Sequence, residues 1–334
     1  MASIEENKEM LLLEKYFAQQ GRAYCNCYGF GKIILFGEHF VVYGAPAIAA
    51  ALDLKTVAMI RPFYGQGILI EDHTMKCNVL VGYTDDYILD QAVQRILRLL
   101  GINWEQENLS ILLKSNIPVV GGLGTSTAAL VALTRLFSEY FHLNLSDYEI
   151  SQLVWEGEKV FAGAPSGIDN AISTYGGLIW FQKGENKTNN FSPIKSQRPL
   201  YIVIGNTRIS HNTKELVTKV RKRIDNNPQR FRVIYARVNK IVREAKFAFL
   251  NNDLDIIGKL MNENHMHLRT LGVSCEELEH LILIARKNGA LGAKLTGAGG
   301  GGCMIALTPD TTTQTKVANA IEQTGFQAIK TVIK

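Results

Sequence analysis

The stretch Ile117-Pro118-Val119-Val120-Gly121-Gly122-Leu123-Gly124-Thr125-Ser126-Thr127-Ala128-Ala129 decides how the rest of the chain is read. An Ile-Pro pair opens it and an alanine-rich apolar run closes it. Between them stand glycines, which let the backbone approach a ligand closely, and the hydroxyl residues Thr125, Ser126 and Thr127. Good helix formers dominate from Ala128 onward, which predicts a helix over Ala128 to Phe137 entered from a glycine loop. Such a helix start gathers free N–H groups and the positive end of the helix dipole at one point. A phosphate suits that point, and Ser126 offers an oxygen for a magnesium ion. Taken alone, the same residues also describe an ordinary helix start of small polar residues.

Working outward, the chain has 334 residues, more than one ordinary core holds, so two domains are expected. The polar stretch from Lys183 to Pro199 marks the boundary, giving domains 1–199 and 200–334. Hydrophobic residues make up 46% and charged residues 20%, a globular composition, and the net charge is only +5. No dense Lys/Arg stripe interleaved with aromatics is present, so nucleic acid is not an expected partner. Lys219 to Arg223 with Arg230 and Arg232 reads as a solvated helix face, with an anion-attracting rim near a phosphorylated ligand as the alternative. Cysteines 25, 27, 77, 275 and 303 are scattered, with no Cys-x-x-Cys pair, which speaks against a disulfide framework or a zinc site. Reduced thiols fit a cytoplasmic type of compartment, with a glycosome-like one left open. Glu5, Glu6, Glu9 and Glu14 speak against a secretory leader, and no apolar run is long enough to span a bilayer.

The alternation of apolar and polar residues predicts the elements in order. Glu5 to Gln19 reads as a helical lead-in. Ala23 to Phe36 reads as two strands separated by a break at Gly29 and Gly31. Strands follow at Thr56–Arg61, Gly67–Glu71 and Leu109–Lys114, with a helix over Asp86–Leu100. Ser146-Asp147-Tyr148-Glu149 has the Ser-x-x-Glu form of a capping box, and the helix it opens runs to about Phe161. Gly163 to Asn170 reads as a loop carrying one acid, Asp169. Strands are expected at Leu178–Gln182 and Leu200–Gly205, then helices broken at Asp225–Pro228. Strands Ala293–Leu295 and Cys303–Leu307 flank a second glycine cluster, Thr296-Gly297-Ala298-Gly299-Gly300-Gly301-Gly302.

Common nucleotide motifs fail one by one. The first glycine loop lacks Gly-Lys-Ser/Thr, so it is not the usual NTPase P-loop. The second cluster contains Gly-x-Gly-x-x-Gly, but a strand follows it where a dinucleotide fingerprint needs a helix. Protein-kinase signatures, His-Glu-x-x-His and Gly-x-Ser-x-Gly are absent. Glu263, His265 and His267 lack the ligand spacing of a zinc site. What remains is a dispersed set: Lys32, Glu38, His39, Ser126, Glu158 and Asp169. Singly, each has a bland reading as an ion-paired, hydrogen-bonded or turn-forming residue. Together they supply what phosphoryl transfer needs: phosphate donors, oxygen ligands for magnesium, an acid to take a proton and a cation at the reacting centre.

Four motifs in order give these parts a family. Gly31-Lys32-Ile33-Ile34-Leu35-Phe36-Gly37-Glu38-His39-Phe40-Val41-Val42-Tyr43-Gly44 resembles the first motif of the GHMP small-molecule kinases. Val119 to Ala129 resembles their phosphate-binding motif, Pro165-Ser166-Gly167-Ile168-Asp169-Asn170 their catalytic loop in the mevalonate-phosphorylating branch, and Lys294 to Cys303 their third motif. The resemblance implies a GHMP kinase fold of α+β class, with two α/β domains and the active site in the cleft between them. It implies ATP-dependent phosphorylation of the 5-hydroxyl of mevalonate, a step of isoprenoid and sterol precursor synthesis. Asp169 would be the catalytic base, and Lys32 would act on that hydroxyl and on the transferring phosphoryl. Glu38, His39 and Thr213 would join Lys32 and Asp169 around the substrate. Gly121, Gly122, Leu123, Gly124, Thr125, Ser126 and Thr127 would bind ATP, with Mg²⁺ held by Ser126 and Glu158. The third motif would support the phosphate loop. A homodimer and feedback binding of prenyl diphosphates are further implications of the family.

The chain departs from the family pattern in places. Gly29-Phe30-Gly31-Lys32 stands where Ala-Pro-Gly-Lys is usual, Thr125-Ser126-Thr127 replaces Ser-Ser-Ala, and His211 stands where some relatives carry arginine. Galactose, homoserine, phosphomevalonate and the 3-hydroxyl of mevalonate stay open as alternative acceptors, and a non-catalytic metabolite sensor as an alternative class.

Overall fold

The computed structural model describes residues 27–61, 63–84, 87–119, 121–162, 165–183, 189–209 and 213–333. The expected lead-in helix, Cys25, and Ser210 to Asn212 lie outside them. The elements are β1 (Tyr28–Phe36), β2 (Ala47–Arg61), β3 (Gly67–Asp72), β4 (Cys77–Leu80), α1 (Ile88–Leu99), β5 (Asn108–Ser115), α2 (Thr125–Tyr140), α3 (Asp147–Ala162), α4 (Ile168–Tyr175), β6 (Leu178–Lys183), β7 (Asn189–Pro193) and β8 (Leu200–Asn206). They continue with α5 (Thr213–Asn226), α6 (Pro228–Leu250), α7 (Leu254–Leu271), α8 (Glu276–Lys287), β9 (Gly292–Thr296), β10 (Cys303–Thr308), α9 (Thr311–Glu322) and β11 (Gln327–Ile333).

The chain forms two compact units. One gathers residues 55–117 and 126–161 with the segment ending at Gly29, and the other gathers 30–54, 118–125 and 162–334. The long strand β2 runs through both.

In the first unit the later half of β2 pairs antiparallel with β5, β5 pairs parallel with β3, and β3 antiparallel with β4. α2 is buried without interruption from Thr127 to Thr134. That explains the small, apolar composition of this stretch: a helical segment hidden on all sides cannot carry charge. Ile96, Leu97, Leu130, Leu133, Phe137 and Val154 are the heart of this core. Packing is close enough to dictate glycine in β1, since a Cβ on Gly29 would stand 2.2 Å from the Ala128 carbonyl oxygen. The departure from Ala-Pro-Gly-Lys thus has a steric reason, because an alanine at 29 has no room. The capping box at Ser146 forms as expected, with the Ser146 amide donating to Glu149 Oε2 at 2.8 Å and the Glu149 amide donating to Ser146 Oγ at 3.3 Å.

In the second unit the first half of β2 pairs with β6, and β6 with β7, all antiparallel. A separate four-stranded antiparallel sheet has the order β11-β8-β10-β9. α7 packs on β9 so closely that backbones touch: a Cβ on Gly258 would lie 2.6 Å from the Leu291 carbonyl, and one on Gly292 would lie 2.2 Å from the Gly258 oxygen. Gly258→Ala should therefore destabilise the protein by about 3 kcal/mol, since overpacking against backbone outweighs the gain of roughly 1 kcal/mol in helix propensity. Chemical denaturation measures it, and an unchanged midpoint would refute the close packing.

Three expectations are corrected. β1 runs unbroken through Gly29 and Gly31, and Gly29 serves close packing and not a turn. Asp169 lies in the first turn of α4, not in a loop, since Gly167 with φ of 89° starts the helix two residues earlier. The polar Lys183–Pro199 stretch contains strand β7. The short strand β4 escaped the sequence reading altogether.

Candidate active site

In the second unit the first motif, the glycine loop, α4 and the third motif meet. Lys32 extends from β1 with its side chain only 5% exposed, and its Nζ lies 3.0 Å from Asp169 Oδ1. The Lys32 amide donates to the Leu123 carbonyl at 2.9 Å, which fastens β1 to the glycine loop. Gly124, with φ of +75°, lies against the Lys32 stem, and a Cβ there would come within 2.8 Å of Lys32 Cγ. Both the conformation and the space demand glycine. Gly122 rests on the third motif: a Cβ on Gly297 would stand 3.1 Å from Gly122 Cα, and one on Gly302 would stand 3.0 Å from the Gly121 oxygen. The two glycine clusters, distant in sequence, form one backbone-to-backbone platform. Thr125 closes the loop by donating from Oγ1 to the Pro118 carbonyl at 3.3 Å.

Glu38 and His39 follow β1. His39 adopts a left-handed backbone with φ of 61°, an uncommon conformation for a residue bearing Cβ. Its Nε2–H donates to the Ala298 carbonyl at 2.8 Å, which leaves Nδ1 as the ring atom able to meet a ligand. Burial pushes its pKa down, so the ring is neutral near pH 7. Glu38 is 1% exposed, and its Oε1 accepts from Lys294 Nζ, itself wholly buried on β9. Burial pushes the Glu38 carboxyl up and the Lys294 ammonium down, while their mutual attraction opposes both shifts. Glu38 Oε2 is buried with no hydrogen-bond partner. Two residues past Lys294, Thr296 clasps β1 by accepting from the Ile34 amide and donating to the Ile34 carbonyl, each at 3.0 Å.

The sequence reading assigned no role to Lys294. Its signal was a lysine in a strand whose other residues are all uncharged, which in a buried strand demands an acidic partner.

In the first unit, Ser126 and Thr127 stand in the first turn of α2, and Glu158 lies on α3. Thr127 Oγ1 donates to Glu158 Oε1 at 2.5 Å, and Glu158 is 3% exposed. The threonine that replaces alanine in the motif thereby holds the carboxylate. Thr213 opens α5. The basic residues Lys219, Arg221, Lys222 and Arg223 are exposed on α5, and Arg223 caps the Leu271 and Gly272 carbonyls at 2.9 and 2.7 Å. Glu263 and His265 are bound elsewhere, Glu263 to Arg237 and His265 to Glu279.

A buried lysine ion-paired to an acid beside a glycine platform supplies parts that phosphoryl transfer uses. Comparison with known proteins agrees. Residues 87–177 match the GHMP kinases N terminal domain, and residues 245–327 match the GHMP kinases C terminal domain. The mevalonate kinase of Pyrococcus furiosus is 39% identical over 313 residues, covering 88% of this chain and 91% of that protein. The chain belongs to the GHMP kinase family. The mevalonate kinase of Arabidopsis thaliana is 30% identical, with 91% of this chain and 96% of that protein covered. Among solved structures, L. major mevalonate kinase in complex with R-mevalonate superposes with a TM-score of 0.84 at 33% identity, covering 93% of this chain and 96% of that one. The GHMP kinase fold read from the motifs is thus established, as is the kinase class of the enzyme. Among the described residues no helix is long and apolar enough to cross a membrane.

Proposed function

We propose that this GHMP kinase transfers the γ-phosphoryl group of ATP to the 5-hydroxyl of mevalonate, giving 5-phosphomevalonate and ADP. The Lys32–Asp169 pair at 3.0 Å carries the reading, in a chain 39% identical to a mevalonate kinase over 88% of its length. Asp169 accepts the hydroxyl proton as the oxygen attacks phosphorus and ADP leaves. Lys32 lies where negative charge gathers on the transferring group. Backbone amides from Gly121 to Thr127 receive the phosphates of ATP, as the glycine platform and the start of α2 favour. Glu38 and His39 border the alcohol, and the motif around Thr213 assigns that residue to it as well. His39 Nδ1 suits a hydroxyl or carboxylate.

Ser126 and Glu158 fit Mg²⁺: a hydroxyl and a buried carboxylate are hard oxygen donors, and magnesium bound with nucleotide needs few protein ligands. When bound, the ion neutralises phosphate charge. Glu158→Gln keeps the Thr127 hydrogen bond but weakens the ligand, so the Mg²⁺ concentration for half-maximal rate should rise about tenfold. A titration of rate against free Mg²⁺ checks this, and an unchanged midpoint removes Glu158 from the ligand set.

The proposal includes domains at 1–199 and 200–334, a cytoplasmic location, a homodimer and feedback binding of prenyl diphosphates. Measuring ADP release with mevalonate, galactose, homoserine and phosphomevalonate tests the substrate. Turnover with another alcohol but not with mevalonate overturns the specificity, and turnover with none overturns the activity.

A further inference from the structure

β9 lies at the edge of its sheet, paired with β10 alone. Every other amide along its free side points away from the ladder and needs a partner. Two side chains of α7 supply them. Asn262 Oδ1 accepts from the Ala293 amide at 3.0 Å, and His265 Nδ1 accepts from the Leu295 amide at 3.4 Å. Three residues apart, they share one helix face. The backbone contact of Gly258 with Gly292 lets α7 come near enough for both.

His265 is 2% exposed, and its Nε2 lies 2.9 Å from Glu279 Oε1. Because Nδ1 accepts, the ring proton sits on Nε2 and donates to Glu279. Glu279 is fixed in turn by Ser274 Oγ at 2.6 Å and Arg269 Nε at 3.2 Å. The ring is therefore anchored from behind and presents an acceptor to β9. Lys294 and Thr296, which alternate with the bracketed residues, reach Glu38 and Ile34, and Gly297 beside Gly122 follows directly.

We infer that His265 is a positioning residue for phosphoryl transfer: by accepting the Leu295 N–H it sets the height of β9, and through it the Lys294–Glu38 pair and the glycine platform. This rests on the proposed kinase activity, though not on mevalonate as the acceptor.

Two variants separate the ring's two bonds. His265→Asn keeps an acceptor at the place of Nδ1 and loses the donor to Glu279. His265→Gln keeps a donor near Nε2 and leaves the Leu295 amide without an acceptor. The measurements are kcat, KM for ATP with whichever alcohol the wild type turns over, and hydrogen exchange of the β9 peptide. The Gln variant should lose about tenfold in kcat, with KM within about threefold, and exchange the Leu295 amide faster. The Asn variant should stay within about threefold of wild-type kcat and keep its protection. Equal kcat losses in both variants, as a merely structural role would give, overturn the inference, as does full kcat in the Gln variant. If the wild type turns over no alcohol, the proposed function fails by itself. The exchange readout then still decides the bracket: faster exchange in the Gln variant alone supports it, and equal exchange in both overturns it.

Discussion

Asp169→Asn should lower kcat by about a thousandfold, within the range that positioned proton transfer contributes, while ATP binding stays unchanged. Asparagine preserves the shape and can still lie beside Lys32 Nζ, now 3.0 Å from the carboxylate, but it cannot take a proton. The carboxylate is 34% exposed, against 5% for the lysine, so the acid is the member of the pair that solvent or a substrate can reach. This asymmetry suits a base that meets the alcohol and a cation that stays fixed. Steady-state turnover together with nucleotide titration separates chemistry from binding. A variant that keeps more than a tenth of wild-type kcat would show that Asp169 orients the hydroxyl without accepting its proton.

Much of this site is legible in the chain because it is built from short, local signals. Gly121 to Ser126 announces a glycine loop leading into a helix by composition, and Ser146 with Glu149 announces a helix start by spacing. The Lys32 motif is local as well. The sequence misleads where a residue's reason lies in another element. Gly29 and Gly31 look like a break, yet Gly29 is required because the backbone of Ala128 occupies the space a side chain would take. Asp169 looks like a loop acid because Pro165 and Gly167 precede it, although Gly167 serves as a helix start. Pairings across long separations are silent altogether. Glu38 and Lys294 are 256 residues apart, and Thr296 and Ile34 are 262 apart, so no periodicity could join them. What the chain does offer is an anomaly: a lysine inside an otherwise uncharged, buried strand must be neutralised, though by what only the fold decides.

That anomaly leads to the second large effect. Lys294→Met should destabilise the protein by about 3–5 kcal/mol at pH 7, because it removes one partner of a wholly buried ion pair and leaves the other charge stranded. Methionine fills similar volume, so the loss is electrostatic more than steric. The pH dependence carries the signature. Burial already raises the Glu38 carboxyl, and losing Lys294 removes the main interaction that lowers it. A carboxyl raised in the folded state contributes its stability fully below the unfolded value and loses it as pH rises through the folded value. The deficit of the variant should therefore shrink on acidification from pH 7 toward pH 5, as Glu38 takes up a proton. Adding Glu38→Gln to Lys294→Met should recover most of the stability at pH 7, since a neutral amide needs no counter-charge. Denaturation midpoints of the two single variants and the double variant, taken at pH 7 and pH 5, form the test. Additive losses that ignore pH would mean that Glu38 and Lys294 are independent residues and that their contact does not hold the first motif to the third.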